Sequence, residues 1–170
     1  MKKLVFIFTT VVALTVSQFA TAQKTIVDAA VGNEDFSTLV AALKAADLVS
    51  ALQGDGPFTV FAPNNAAFDK VDSETLASLL EPANKAALSN ILTYHVVSGK
   101  LAAADVVAAL KKGNGKVELK ALNGQTITVL QKDGKIWLKD QNDNYSEIIA
   151  TDVMGSNGVI HVIDSVVMPK

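Results

Sequence analysis

The sequence predicts an α+β domain in which helices come first and an antiparallel meander follows. Three observations predict it. Apolar residues recur at helical spacing through the first half, as in Leu39, Val40 and Leu43. In the second half, Asn123-Gly124 and Asp133-Gly134 separate short alternating runs, and such pairs supply the positive φ angles of tight hairpins. Two further runs, 56–68 and 157–169, are apolar at consecutive positions and so read as strands buried on both faces. They lie about a hundred residues apart, and two such strands can be neighbours at the centre of one domain.

Taken in order, Asp35 caps a helix from Phe36, and a short turn holding Leu48, Val49 and Leu52 stops at Gly54. The buried strand 58–62 ends at Pro63, after which Asn64 or Asn65 caps a short helix with Ala66, Ala67 and Phe68. Ser73 opens a helix through Leu76, Leu79 and Leu80. Pro82 suits the first turn of the next, which carries Leu88, Ile91 and Leu92. Residues 94–97 read as a short strand and 103–110 as a helix stopped by Gly113. Strands follow at 116–122, 125–131 and 135–139. A polar loop then leads to a strand at 147–153, and a Gly155-Ser-Asn-Gly158 turn delivers the closing strand.

The N-terminus joins Lys2 and Lys3 to a short apolar stretch and then Ala20-Thr-Ala22, the pattern of a secretory signal peptide at 1–22 cleaved after Ala22. A single domain at 23–170 is expected to be exported, to the periplasm or beyond, without a stable membrane anchor. The stretch is short for a span, and no cysteine follows it to carry a lipid. A chain of this length buries roughly two thirds of its unfolded surface, which suits a cysteine-free protein that must rely on packing.

All 15 basic residues are lysine, and they are scattered. Without Lys2 and Lys3 the net charge moves from −2 to −4. Nucleic-acid binders need a basic stripe and favour arginine, so that class is set aside. No catalytic constellation stands out either. Ser156 lacks the Gly-x-Ser-x-Gly spacing of a nucleophile elbow, and 113–116 lacks the spacing of a phosphate loop. Asp140, Asn142, Asn144 and Ser146 alternate like early calcium-loop ligands, but Tyr145 and Thr151 stand where such a loop needs glycine and glutamate. His95 and His161, set in apolar runs, read as hydrogen-bonded core residues rather than metal ligands. No cofactor or metal is expected.

Residues 58–68, the pair Tyr94-His95 and residues 157–169 resemble, in that order, the signature blocks of fasciclin-type domains. The resemblance spans about 25–170. It implies a wedge-shaped antiparallel β-sandwich with helices clustered along one edge, an extracellular adhesion or matrix role, and no catalysis. The expected structural core is Tyr94, His95, His161, Asn64 and Asn65, and the resemblance implies that His95 ties its strand to the turn after Pro63. Asn64-Asn65 stand where many members carry Thr-Asp or Thr-Asn. Some animal members use a Glu-Pro-Asp-Ile-Met stretch as an integrin contact. Here the matching positions are 150–154, where Asp152 and Met154 match, Val153 is conservative and the Glu-Pro is missing.

Trp137 sits on the face of its strand opposite Ile136 and Leu138, which makes it the strongest contact residue outside that stretch. Trp137, Asp152, Val153 and Met154 are therefore the expected partner-binding positions. The expected function is non-catalytic adhesion to a cell-surface or matrix protein or glycan. The alternative is a small apolar ligand held between helices and sandwich.

Overall fold

The computed structural model describes residues 24–170, so the expected signal peptide lies outside the described residues. Seven α-helices are described: α1 Ile26–Val31, α2 Ser37–Ala45, α3 Val49–Leu52, α4 Asn65–Phe68, α5 Ser73–Leu79, α6 Lys85–Tyr94 and α7 Ala103–Lys112. Seven strands accompany them: β1 Phe58–Pro63, β2 Val96–Ser98, β3 Lys116–Lys120, β4 Thr126–Lys132, β5 Lys135–Lys139, β6 Tyr145–Gly155 and β7 Gly158–Ile163. The strands run in the order β2-β1-β7-β6-β5-β4-β3. The two ends of this sheet meet where Val97 bridges Ala121 and the Leu122 N–H donates to the Val96 carbonyl at 2.8 Å. The sheet is thereby curled nearly into a barrel, and its edges are largely covered.

The two apolar runs are adjacent, as their burial pattern requires. β1 and β7 pair in parallel from Phe58 opposite Gly158 to Pro63 opposite Ile163. This is the one parallel pair in a sheet otherwise antiparallel. The chain leaves β1 through helices and the meander before returning, a crossover long enough to allow parallel pairing. Both faces of the pair are covered. Val60, Ala62 and Ile160 pack under the helices with Leu39, Leu43 and Leu92. Phe61 and Ile163 point the other way, into a second core with Tyr94, Leu110, Val129 and Leu138. Each such fully buried side chain contributes about 1.5–3 kcal/mol of transfer free energy.

Close backbone approach fixes the centre. A Cβ on Gly158 would stand 2.2 Å from the Phe58 carbonyl oxygen, and one on Gly155 would meet the Ile26 nitrogen at 2.6 Å. Only glycine lets α1 and β1 come this near the β6–β7 hairpin.

Local details depart from the sequence reading. α1 was not expected; it opens with a reciprocal cap in which Thr25 and Asp28 each accept from the other's backbone N–H. α2 begins at Ser37, one residue later than read, after a 3-10 turn at Glu34–Phe36 that Asn33 rather than Asp35 caps. Asp72 rather than Ser73 caps α5. Tyr94 ends α6 and His95 is its C-cap, so the strand starts only at Val96.

Candidate functional site

The residues expected to be structural sit at the joints between elements. Tyr94 is fully buried, and its hydroxyl donates to the Thr126 carbonyl at 3.0 Å, joining α6 to β4. Burial, with the Asp140 carboxylate nearby, pushes its phenol up to about 12. His95 is 2 % exposed. Its Nδ1–H donates to the Ile91 carbonyl at 2.8 Å, and its Nε2 accepts the Val167 N–H at 3.2 Å. These partners fix the tautomer, because a carbonyl only accepts and an N–H only donates. The tie runs to the C-terminal segment at Val167 and not, as expected, to the turn after Pro63. The first N–H after Pro63, that of Asn64, donates to the Ile163 carbonyl at 3.4 Å, whereas the Val167 N–H takes the His95 ring as its acceptor. Burial lowers the His95 pKa to about 4, against the smaller upward pull of Ile91.

His161 lies in β7 beside Phe61, with ring centroids 5.9 Å apart. Its Nε2–H donates to the Leu101 carbonyl at 2.7 Å, and its Nδ1 faces the Asp152 N–H at 3.4 Å. Asn64 caps α4 through Ala67 N at 2.8 Å. Asn65 reaches back to α2, accepting from Thr38 N at 3.1 Å and donating to the Glu34 carbonyl at 2.9 Å. It supplies the cap that Phe36, at the N-cap of α2, lacks.

Two joints were not foreseen. Asn157 accepts from Ile26 N at 3.0 Å and donates to the Leu52 and Gly54 carbonyls at 2.8 and 2.9 Å, binding the last hairpin to α1 and α3. Asp164 accepts from Glu147 N at 2.8 Å and from Lys70 at 3.0 Å. Burial pushes its carboxyl up, but Lys70, the Glu147 N–H and Ser165 outweigh it and hold the pKa below the usual range. Polar residues set in or beside buried strands were the available signal.

The alternating acidic loop has a protein-internal use. The Asp140 carboxylate is 5 % exposed as a residue and accepts from Asn142 N, Asn144 N, the Asn144 amide and Met168 N at 2.8–3.1 Å. Ser146 turns inward to the Ser165 carbonyl at 2.8 Å. Among the described residues no cluster of His, Cys, Asp or Glu could hold a metal ion.

The expected contact positions are divided by the fold. β6 slips register between Ile148 and Val153, and Asp152 takes the left-handed conformation at φ 60°. Its Oδ1 accepts from Ala103 N at 2.8 Å, capping α7 where Ala102 has no side-chain acceptor. Val153 is half-buried against the helical core. Met154 is 51 % exposed. Trp137 is half-buried on the outer face of β5, its indole nitrogen enclosed with no hydrogen-bond partner among the described residues.

That outer face forms a groove. Register places Glu118, Thr128, Lys139 and Tyr145 in one row across β3, β4, β5 and β6, beside a second row of Lys116, Leu130, Trp137 and Glu147. The groove over the first row has a volume of about 450 Å³ and is open to solvent. Tyr145 is its exposed aromatic, with the Lys139 ammonium 5.8 Å from the ring centroid. Sequence reading missed Tyr145 because it placed the residue in the loop before β6. By contrast, the voids lined by apolar side chains beneath α1–α3 and beneath α5–α6 hold only about 20 Å³ each.

A nearly closed seven-stranded sheet packed by helices, its joints tied by buried histidines, defines an α+β domain. The fasciclin domain family model matches residues 34–169, and the chain belongs to that family. It is 51 % identical over 162 residues to Protein sll1483 of Synechocystis sp., covering 95 % of this chain and 83 % of the relative. Immunogenic protein MPB70 of Mycobacterium bovis is 36 % identical over 146 residues, 83 % of this chain and 67 % of that protein. Transforming growth factor-beta-induced protein ig-h3 of Sus scrofa is 34 % identical over 145 residues, which is 85 % of this chain but 19 % of the larger protein. Among solved structures, a FAS1 domain pair from the insect cell adhesion molecule Fasciclin I superposes with a TM-score of 0.75 at 20 % identity, over 85 % of this chain and 51 % of that one. This last likeness shows the fold.

Proposed function

We propose that this chain is an exported, non-catalytic surface-interaction domain that engages a cell-surface or matrix component through the outer face of β3–β6. The observation that carries the reading is where the unspent side chains lie. Buried polar groups at the joints are nearly all committed to internal hydrogen bonds, whereas Tyr145, Ile149 and Met154 expose about half their surface along β6. Exposed aromatic and aliphatic side chains on a rigid sheet are the kind of feature that marks an interaction surface. The family membership and the relatives' names, among them an insect cell adhesion molecule, support the same reading. A small apolar ligand has less support, since voids of about 20 Å³ are far below the few hundred typical of ligand pockets.

The test is adhesion of the purified, fluorescently labelled chain to intact cells and to their matrix fraction. Saturable retention, reduced by Tyr145→Ala or Met154→Ala in folded protein, is the expected result. Equal retention of a heat-unfolded sample, or none at all, would overturn the reading.

A further inference from the structure

The outer groove combines features that select one chemical class of ligand. Its floor holds the Thr126 and Thr128 hydroxyls, with the Gln141 amide at one end. The ions that line it are mostly paired within the protein: Lys116 with Glu118 at 2.9 Å, and Lys139 with Asp143 at 2.6 Å. Asp140, the remaining acid at the wall, spends its oxygens on backbone and amide N–H groups. No excess of positive charge is therefore left for a phosphate, sulfate or carboxylate, and the one acid without an ion-pair partner, Asp140, is already engaged by four N–H donors. What remains are hydroxyls, an amide, and ammonium and carboxylate groups that offer donors and acceptors side by side.

Beside them stands Tyr145, 52 % exposed, at the end of the Glu118–Thr128–Lys139 row. A tyrosine ring offers an apolar face with a polar tip and loses little rotamer freedom on contact. A neutral polyhydroxyl ring has the matching character. Its C–H face lies on an aromatic ring, and its hydroxyls both donate and accept. The row crosses four strands about 4.8 Å apart, about 14 Å in all, so it addresses more than one sugar unit. The groove volume of about 450 Å³ falls in the usual range for ligand sites.

We infer that this groove binds a neutral oligosaccharide, with Tyr145 as the stacking platform and Thr128, Lys139 and Glu118 as hydrogen-bonding partners. The inference rests on the surface-interaction reading and narrows its partner to a neutral glycan.

The experiment is an NMR titration of the isotope-labelled full chain with malto-, cello- and xylo-hexaose. Oligogalacturonate and a sulfated oligosaccharide of similar length form the acidic arm. Saturable shifts at Thr128, Lys139 and Tyr145 with at least one neutral series are expected. Tyr145→Ala should weaken that binding about tenfold, Tyr145→Trp should keep it, and Val31→Ala, at an exposed position of α1 outside the groove lining, should leave it unchanged. Shifts with the acidic ligands alone, shifts confined to another face, or none with any neutral series would overturn the inference. Adhesion to cells that persists unaltered in Tyr145→Ala would sink the glycan site and leave the surface-interaction reading standing. Loss of all adhesion by the wild type would sink both.

Discussion

Asp152 and His161 hold each other in place across the β6–β7 pair. The Asp152 N–H points at His161 Nδ1 at 3.4 Å, while the ring's other nitrogen donates to the Leu101 carbonyl at 2.7 Å. Two residues beyond Leu101, the Asp152 carboxylate accepts from Ala103 N. One acid and one imidazole thus fix the irregular part of β6 and the entry to α7 together. Asp152 was expected as a partner contact, and its position here gives it an internal role as well.

Asp152→Ala should cost about 1–2 kcal/mol, through loss of the α7 cap and of the short polar side chain that lets aspartate tolerate φ 60° better than alanine. Asn keeps a side-chain oxygen and tolerates the left-handed region, so Asp152→Asn should cost less than half as much. Urea unfolding of the two variants decides it. Equal losses would show that the cap and the conformation are not what Asp152 contributes.

His95 makes the fold sensitive to acid. Its pKa is about 4 in the folded chain, below the ordinary value of 6.5. The unfolded chain therefore binds this proton first as pH falls. The stabilisation is present above about pH 6.5 and is lost progressively down to about pH 4, by about 3 kcal/mol in total. Denaturation midpoints measured from pH 7.5 to 4 should fall accordingly. His95→Gln should flatten that part of the curve, and an unaltered slope would exclude this histidine as its source.

Asn65 provides a test of long-range capping. Asn65→Ala removes the acceptor for Thr38 N and the donor to the Glu34 carbonyl, and should cost about 1–2 kcal/mol. Hydrogen exchange in the first turn of α2 should accelerate more than in α4, which Asn64 caps. A uniform effect on both helices would contradict the assignment.

Gly158→Ala should destabilise by about 3 kcal/mol or prevent folding, because its Cβ would overlap the Phe58 carbonyl at 2.2 Å. Near-wild-type melting would mean that the β1–β7 contact can widen freely.

Periodicity and turn chemistry made the framework legible. The runs at 56–68 and 157–169 announced burial on both faces, and Asn123-Gly124 and Asp133-Gly134 placed the hairpins. What sequence could not supply were partners distant along the chain. The parallel pairing of β1 with β7, the reach of Asn65 over 27 residues to Thr38, and the tie from His95 to Val167 are tertiary choices. α1 escaped because six residues carry too short a period to distinguish helix from strand. The groove escaped for a related reason. Tyr145, Lys139, Thr128 and Glu118 belong to four strands, and only register brings them into one row.

The position of β7 governs when this protein can fold at all. It alone pairs directly with both β1 and β6, yet it is the last of the described strands. Without β7 the β1–β2 pair and the β3–β6 meander meet only at the short Val97–Ala121 contact, and the pairing that closes the centre spans about a hundred residues. A chain stopped before Gly158 should show no cooperative melting transition. The centre of the sheet therefore closes only once β7 is in place.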